Sequence, residues 1–143
     1  MKESEQVEAI YKKIEEALNK IPGKVSFKIG FPMSTGVRPD FFVQTKDGKN
    51  FVVEVKIGAK EGYLPFSAWG QLAMYRKVLQ EWHNLSNVIP VIITNQIPSH
   101  DLAEALNKSG IAVVMIGNTS EETLRNLKES LQKLDQWPED EGH

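Results

Sequence analysis

The sequence predicts one α/β domain with a mixed central sheet and helices on both faces, and three observations predict it. Apolar residues recur at helical spacing in four separate stretches, with strand-like patterns between them. Two apolar, β-branched runs, VIPVIIT ending at Thr94 and IAVVMI over 111–116, read as strands covered on both sides. Hairpin signals come first and helix–strand alternation follows, as in a sheet that begins antiparallel and continues parallel. A chain of 143 residues is close to the commonest domain size, and folding at that length hides roughly 70% of the unfolded chain's surface.

Residues 4–20 place Val7, Ile10, Tyr11, Ile14 and Leu18 on one helical stripe, and Pro22-Gly23 ends it. Val25, Phe27 and Ile29 then alternate with polar residues as a strand does, and Pro32 to Pro39 reads as a loop. Two further strands flank the turn Lys46-Asp47-Gly48, and Gly58 to Pro65 breaks regularity again. From Ser67 to Trp82, Leu72, Tyr75, Val78, Leu79 and Trp82 recur at helical intervals and mark a second long helix. A strand over 87–94 follows. Ser99 caps a helix that runs to Lys108 and stops at Gly110. After the strand at 111–116, Thr119 or Ser120 with Glu122 opens a last helix to about Leu134. Residues 1–136 are therefore expected to form the domain, and 137–143, ending PEDEGH, a disordered tail.

Composition narrows the chemistry. There is no cysteine, which excludes disulfides, thiolate zinc sites and cysteine nucleophiles, so a metal must be held by oxygen or by one of three histidines. No apolar run approaches ~20 residues and the N-terminal stretch has scattered charges, so neither a membrane span nor a secretory signal is expected, and a cytoplasmic location is. The formal net charge of −2 gives no global pull on nucleic acid, although the 17 Lys and Arg can still cluster locally. No glycine-rich phosphate loop is present, so no nucleotide cofactor is expected. Ser99-His100-Asp101 has the residue types of a hydrolase triad, but consecutive residues cannot adopt its geometry.

The informative stretch is Arg38 to Lys56. Phe41, Val43, Phe51, Val53, Val55 and Ile57 are all apolar and make one face of a hairpin, while Asp40, Gln44, Glu54 and Lys56 interrupt the other. If Lys46-Asp47-Gly48 is a three-residue loop with Gly48 in the left-handed position, Thr45 pairs with Lys49 and Asp40 lies opposite Glu54. A two-residue turn would send Asp40 to the other face. Directly opposed residues have Cβ atoms ~5 Å apart, so the two carboxylates repel unless a cation lies between them. Mg²⁺ suits such a pair, and Lys56 returns to the same face two residues later. The competing reading is a salt bridge on a solvated sheet face.

Pro39-Asp40 followed by Glu54-Val55-Lys56 resembles the PD-(D/E)XK nuclease motif, and the element order through the strand at Val88 resembles that superfamily's core. Gln71 and Tyr75, four residues apart on one helical face, resemble the Gln-x-x-x-Tyr motif of its RecB-like branch. The resemblance covers about two thirds of the chain and implies a three-layer restriction-endonuclease-like fold and metal-dependent hydrolysis of DNA phosphodiester bonds. It implies Asp40, Glu54 and the Val55 carbonyl as ligands for Mg²⁺, with Mn²⁺ able to substitute, and Lys56, Gln71 and Tyr75 as catalytic partners. Glu8 is a candidate for the glutamate that many members supply from the first helix. Ser34, Thr35, Arg38, Lys60 and Tyr63 are candidates for substrate contact. Structure- or end-selective cleavage is expected, as in exonucleases or branched-DNA processing. A junction resolvase would need a homodimer, and a catalytically silent nucleic-acid-binding or assembly module is the remaining alternative.

Overall fold

The computed structural model describes residues 3–30, 38–58 and 62–139. Among the described residues, four helices and five strands follow in the expected order: α1 Glu3–Leu18, β1 Lys24–Ile29, β2 Phe41–Thr45, β3 Asn50–Lys56, α2 Ser67–Glu81, β4 Val88–Thr94, α3 His100–Lys108, β5 Ala112–Met115 and α4 Ser120–Lys133. The strands form one sheet in the order β1-β2-β3-β4-β5. β1, β2 and β3 are antiparallel neighbours, whereas β3, β4 and β5 run parallel. The parallel half requires crossovers, and α2 and α3 supply them.

Period-two alternation sorts the side chains onto two cores. Phe41, Val43, Phe51, Val53, Ile89, Val91 and Ile93 face Ile14 and Leu18 of α1 and Leu127 and Leu131 of α4. Phe42, Val52, Val88 and Ile92 face Leu72, Tyr75 and Leu79 of α2 and Leu102 and Leu106 of α3. Every residue of β4 is buried, which is why its sequence reads as a continuous apolar run. Ser99 accepts the Leu102 N–H and Thr119 the Glu122 N–H, so α3 and α4 begin at the caps their sequences specify. Among the described residues no helix is long and apolar enough to cross a membrane.

Residues 137–139 depart from the expectation of a disordered tail. Trp137 packs against the α1/α4 core, Pro138 is buried, and the Glu139 N–H donates to Asp47 Oδ2 at 3.1 Å. A bulky indole with an apolar surface to cover outweighs the polar residues that follow it. Residues 140–143 lie outside the described residues.

Candidate active site

The β2–β3 turn sets the site's register. Thr45 N–H donates to the Lys49 carbonyl at 3.0 Å and Gly48 adopts φ +89°, leaving Lys46, Asp47 and Gly48 as the loop. Gln44 pairs with Asn50, Val43 with Phe51, Phe42 with Val52 and Phe41 with Val53. Continued by one step, the register sets Asp40 opposite Glu54.

The face that carries them is not solvated. α2 covers it, and Glu54 is only 7% exposed, which removes the reading of a salt bridge on an open sheet surface. Tyr75, 1% exposed, donates its hydroxyl to Glu54 Oε2 at 2.5 Å, and Gln71 Nε2 donates to the Tyr75 hydroxyl oxygen at 2.9 Å. Tyr75 therefore belongs both to the core and to a polar relay. Its ring fills the α2 core while its hydroxyl donates once and accepts once. Asp40 is held by a different device: its Oδ2 accepts the Val55 N–H at 2.7 Å.

Two acidic groups thus converge at the open end of the hairpin, each oriented through one oxygen. Burial, above all, together with the hydrogen bond and charge of Asp40, pushes the Glu54 carboxyl up to about 7, against the opposing influence of the Tyr75 hydroxyl and Lys56. Burial and the nearby Glu54 raise the Tyr75 phenol well above its usual value, so it stays a neutral donor. Burial, and then the charges of Asp40 and Glu54, also raise Tyr11.

A cleft of roughly 860 Å³ opens beside this pair, lined by Val7 and Tyr11 of α1, Lys56 at the end of β3, Tyr63, and Gln96 just beyond β4, among others. It lies at the carboxyl ends of parallel strands, where open α/β sheets present ligand sites. The two strand exits are tied together. Gly58 N–H donates to Asn95 Oδ1 and Asn95 Nδ2 to the Gly58 carbonyl, each at 3.0 Å. A Cβ on Gly58 would stand 2.2 Å from Gln96 Nε2, so a side chain there would displace the Gln96 amide from the cleft wall.

The structure brings Asp40, Glu54, Val55, Gln71 and Tyr75 together and sets Lys56 and Tyr63 in the adjoining cleft. Glu8 does not join them: it is exposed, and among the described residues no group of three acidic, histidine or cysteine side chains converges. The helical stripe buries Ile14 and Leu18 and turns Glu8 outward. Arg38 is exposed, and Ser34, Thr35 and Lys60 lie outside the described residues. Tyr11 and Gln96 went unpredicted. The phenol tip of Tyr11 at the edge of the apolar stripe was the available signal for the first, and the position after a parallel strand was the signal for the second.

No protein family model and no curated protein sequence matches the chain. Solved structures do. A repair endonuclease from Pyrococcus abyssi is 20% identical with a TM-score of 0.54, over 79% of this chain and 46% of that one. EndoMS in complex with double-stranded DNA is 19% identical with a TM-score of 0.56, over 79% and 43%. A protein of unknown function is 17% identical with a TM-score of 0.61, over 86% and 66%. This chain thus spans less than half the length of the repair endonuclease and of EndoMS. The mixed five-stranded α/β fold is shared with these endonucleases.

Proposed function

We propose that the protein is a metal-dependent DNA nuclease of the PD-(D/E)XK type, with Asp40, Glu54 and Lys56 at its centre. The observation that carries this reading is the buried Glu54 facing Asp40 across the hairpin and raised to about 7. A structural role gives no reason to set a half-buried acid against a buried one, since like charges away from water are costly. A divalent cation removes that cost.

The donor set fits Mg²⁺ or Mn²⁺. It comprises two carboxylates and the nearby Val55 carbonyl, all hard oxygen donors, with no thiolate and no histidine in the group. Asp40, Glu54 and Val55 would hold the ion, which when bound supplies Lewis acidity toward the scissile phosphate. The chain's own residues do the rest. Gln71 and Tyr75 orient Glu54, leaving its second oxygen for the cation. The Val55 N–H does the same for Asp40. Lys56, in the cleft, puts positive charge beside the attacking water and the phosphate, favouring a deprotonated nucleophile. The fold shared with the repair endonuclease, and with EndoMS seen in complex with double-stranded DNA, supports DNA as the substrate. A structure- or end-selective mode suits a site without an evident sequence-reading element.

The test is incubation with labelled single-stranded, duplex, flapped and four-way-junction DNA in Mg²⁺ or Mn²⁺. Cleavage lost with EDTA and with Glu54→Ala is expected, and the preferred substrate separates end processing from junction resolution. DNA binding that ignores chelator, with no substrate cut, would replace the reading with that of a binding module.

A further inference from the structure

Ladder geometry assigns a task to the residue before Asp40. In an antiparallel pair, opposed residues alternate between those that exchange two backbone hydrogen bonds and those that exchange none. Thr45 and Lys49 are of the first kind, because the Thr45 N–H donates to the Lys49 carbonyl at 3.0 Å. Stepping by two along the observed register, Val43 with Phe51, Phe41 with Val53 and finally Pro39 with Val55 fall in the same class.

Independent contacts agree with that phase. Asn50 N–H donates to the Asn87 carbonyl at 3.0 Å, so the even-numbered residues of β3 turn their backbone groups toward β4 and the odd-numbered ones, including Val55, toward β2. Gly30 N–H donates to the Asp40 carbonyl at 2.9 Å, so Asp40 turns its backbone toward β1 and residue 39 turns toward β3. At that position an ordinary residue would donate its N–H to the Val55 carbonyl and accept the Val55 N–H. Proline has no N–H to give. The Val55 N–H is taken instead by the Asp40 side chain at 2.7 Å.

We infer that Pro39 is a positioning residue of this site: by withholding an N–H from the register position opposite Val55, it ends the ladder there and keeps the Val55 carbonyl for a divalent cation. The inference rests on the cation-dependent reading above. One step of the ladder is thereby split, its donor orienting the Asp40 carboxylate and its acceptor left pointing at the same place.

The experiment compares wild type with Pro39→Ala, which restores the donor. Amide hydrogen exchange is followed by NMR in the cation-free proteins, and Mn²⁺ affinity by titration calorimetry. The new backbone amide at position 39 should be protected from exchange, and Mn²⁺ binding should weaken about tenfold or more, the usual scale for groups that orient a metal ligand. Either an unprotected amide at that position or an unchanged affinity overturns the inference. Pro39→Ser repeats the test should the alanine variant not fold. In wild type, Mg²⁺ should shift the Val55 carbonyl carbon resonance, and its failure to move overturns the inference without any variant. A wild type that binds no Mn²⁺ overturns this and the nuclease reading together. Mn²⁺ binding with the expected Pro39 effects but no DNA cleavage leaves the inference standing and removes only the nuclease.

Discussion

The two ends of the β2–β3 hairpin hold acidic side chains in opposite circumstances. At the turn, Asp47 is paired with Lys49 Nζ at 2.7 Å, accepts the Thr45 hydroxyl, and accepts the Glu139 N–H at 3.1 Å. Burial alone would push its carboxyl up, but the hydrogen bonds from Lys49, Thr45 and Glu139 and the Lys49 charge together hold it down at about 2. At the open end, Glu54 faces another carboxylate under a helix and is raised to about 7. One acid is surrounded by donors and closes a turn. The other is set against its own kind and makes sense only when a cation or a proton completes it. The difference separates an acid that stabilises the fold from one kept at the expense of stability.

The comparison breaks most sharply at Glu54. Glu54→Gln should lower single-turnover DNA cleavage about a thousandfold, equivalent to about 4 kcal/mol of lost stabilisation, while leaving urea stability at pH 8 equal to wild type or higher. Tyr75→Phe comes next: the ring still fills the α2 core, but Glu54 and Gln71 each lose a partner. A loss of about 1–3 kcal/mol in stability and a fall of about 10- to 100-fold in cleavage are expected.

The pH dependence of the two ends has opposite sign. Because Glu54 holds its proton in the folded state up to about 7 while an unfolded glutamate releases it near 4.3, the fold binds more protons across that window. Its contribution is therefore fully present below about 4.3 and is lost as pH rises through about 7. Asp47 behaves inversely, its contribution being present above about 3.9 and lost as pH falls toward about 2. Urea titrations of wild type and Glu54→Gln should show stabilities whose pH slopes differ between about 4.3 and about 7 and run parallel outside that window. The smallest effect belongs to Asp47→Asn, which should cost about 1 kcal/mol at neutral pH and leave cleavage unchanged.

Much of this site could be read from the chain because its geometry is local. Gly48 in a three-residue turn is enough to oppose Asp40 and Glu54, and strand alternation is enough to give Lys56 the same side. The pairing of Gln71 with Tyr75 follows from one helical turn. Their meeting with Glu54 does not, since it depends on how α2 lies across the sheet. The same reason accounts for Tyr11, Gln96 and the Asn95–Gly58 tie, which are assembled by packing between elements distant in sequence. It accounts for Glu8 as well: spacing places it near the edge of the α1 stripe, but the rotation of α1 against the sheet turns it to solvent. Trp137 and Glu139 were obscured by the polar residues around them, because the surface they cover, at the α1/α4 core and the hairpin turn, is invisible in a linear pattern.

The most direct measurement needs no knowledge of the DNA substrate: the change in melting temperature on adding Mg²⁺ at pH 8, in wild type and in Glu54→Gln. At this pH, above the raised Glu54 value, wild type should gain several degrees and Glu54→Gln close to none. An equal gain in both proteins, or none in wild type, would contradict a cation site at the open end of the hairpin.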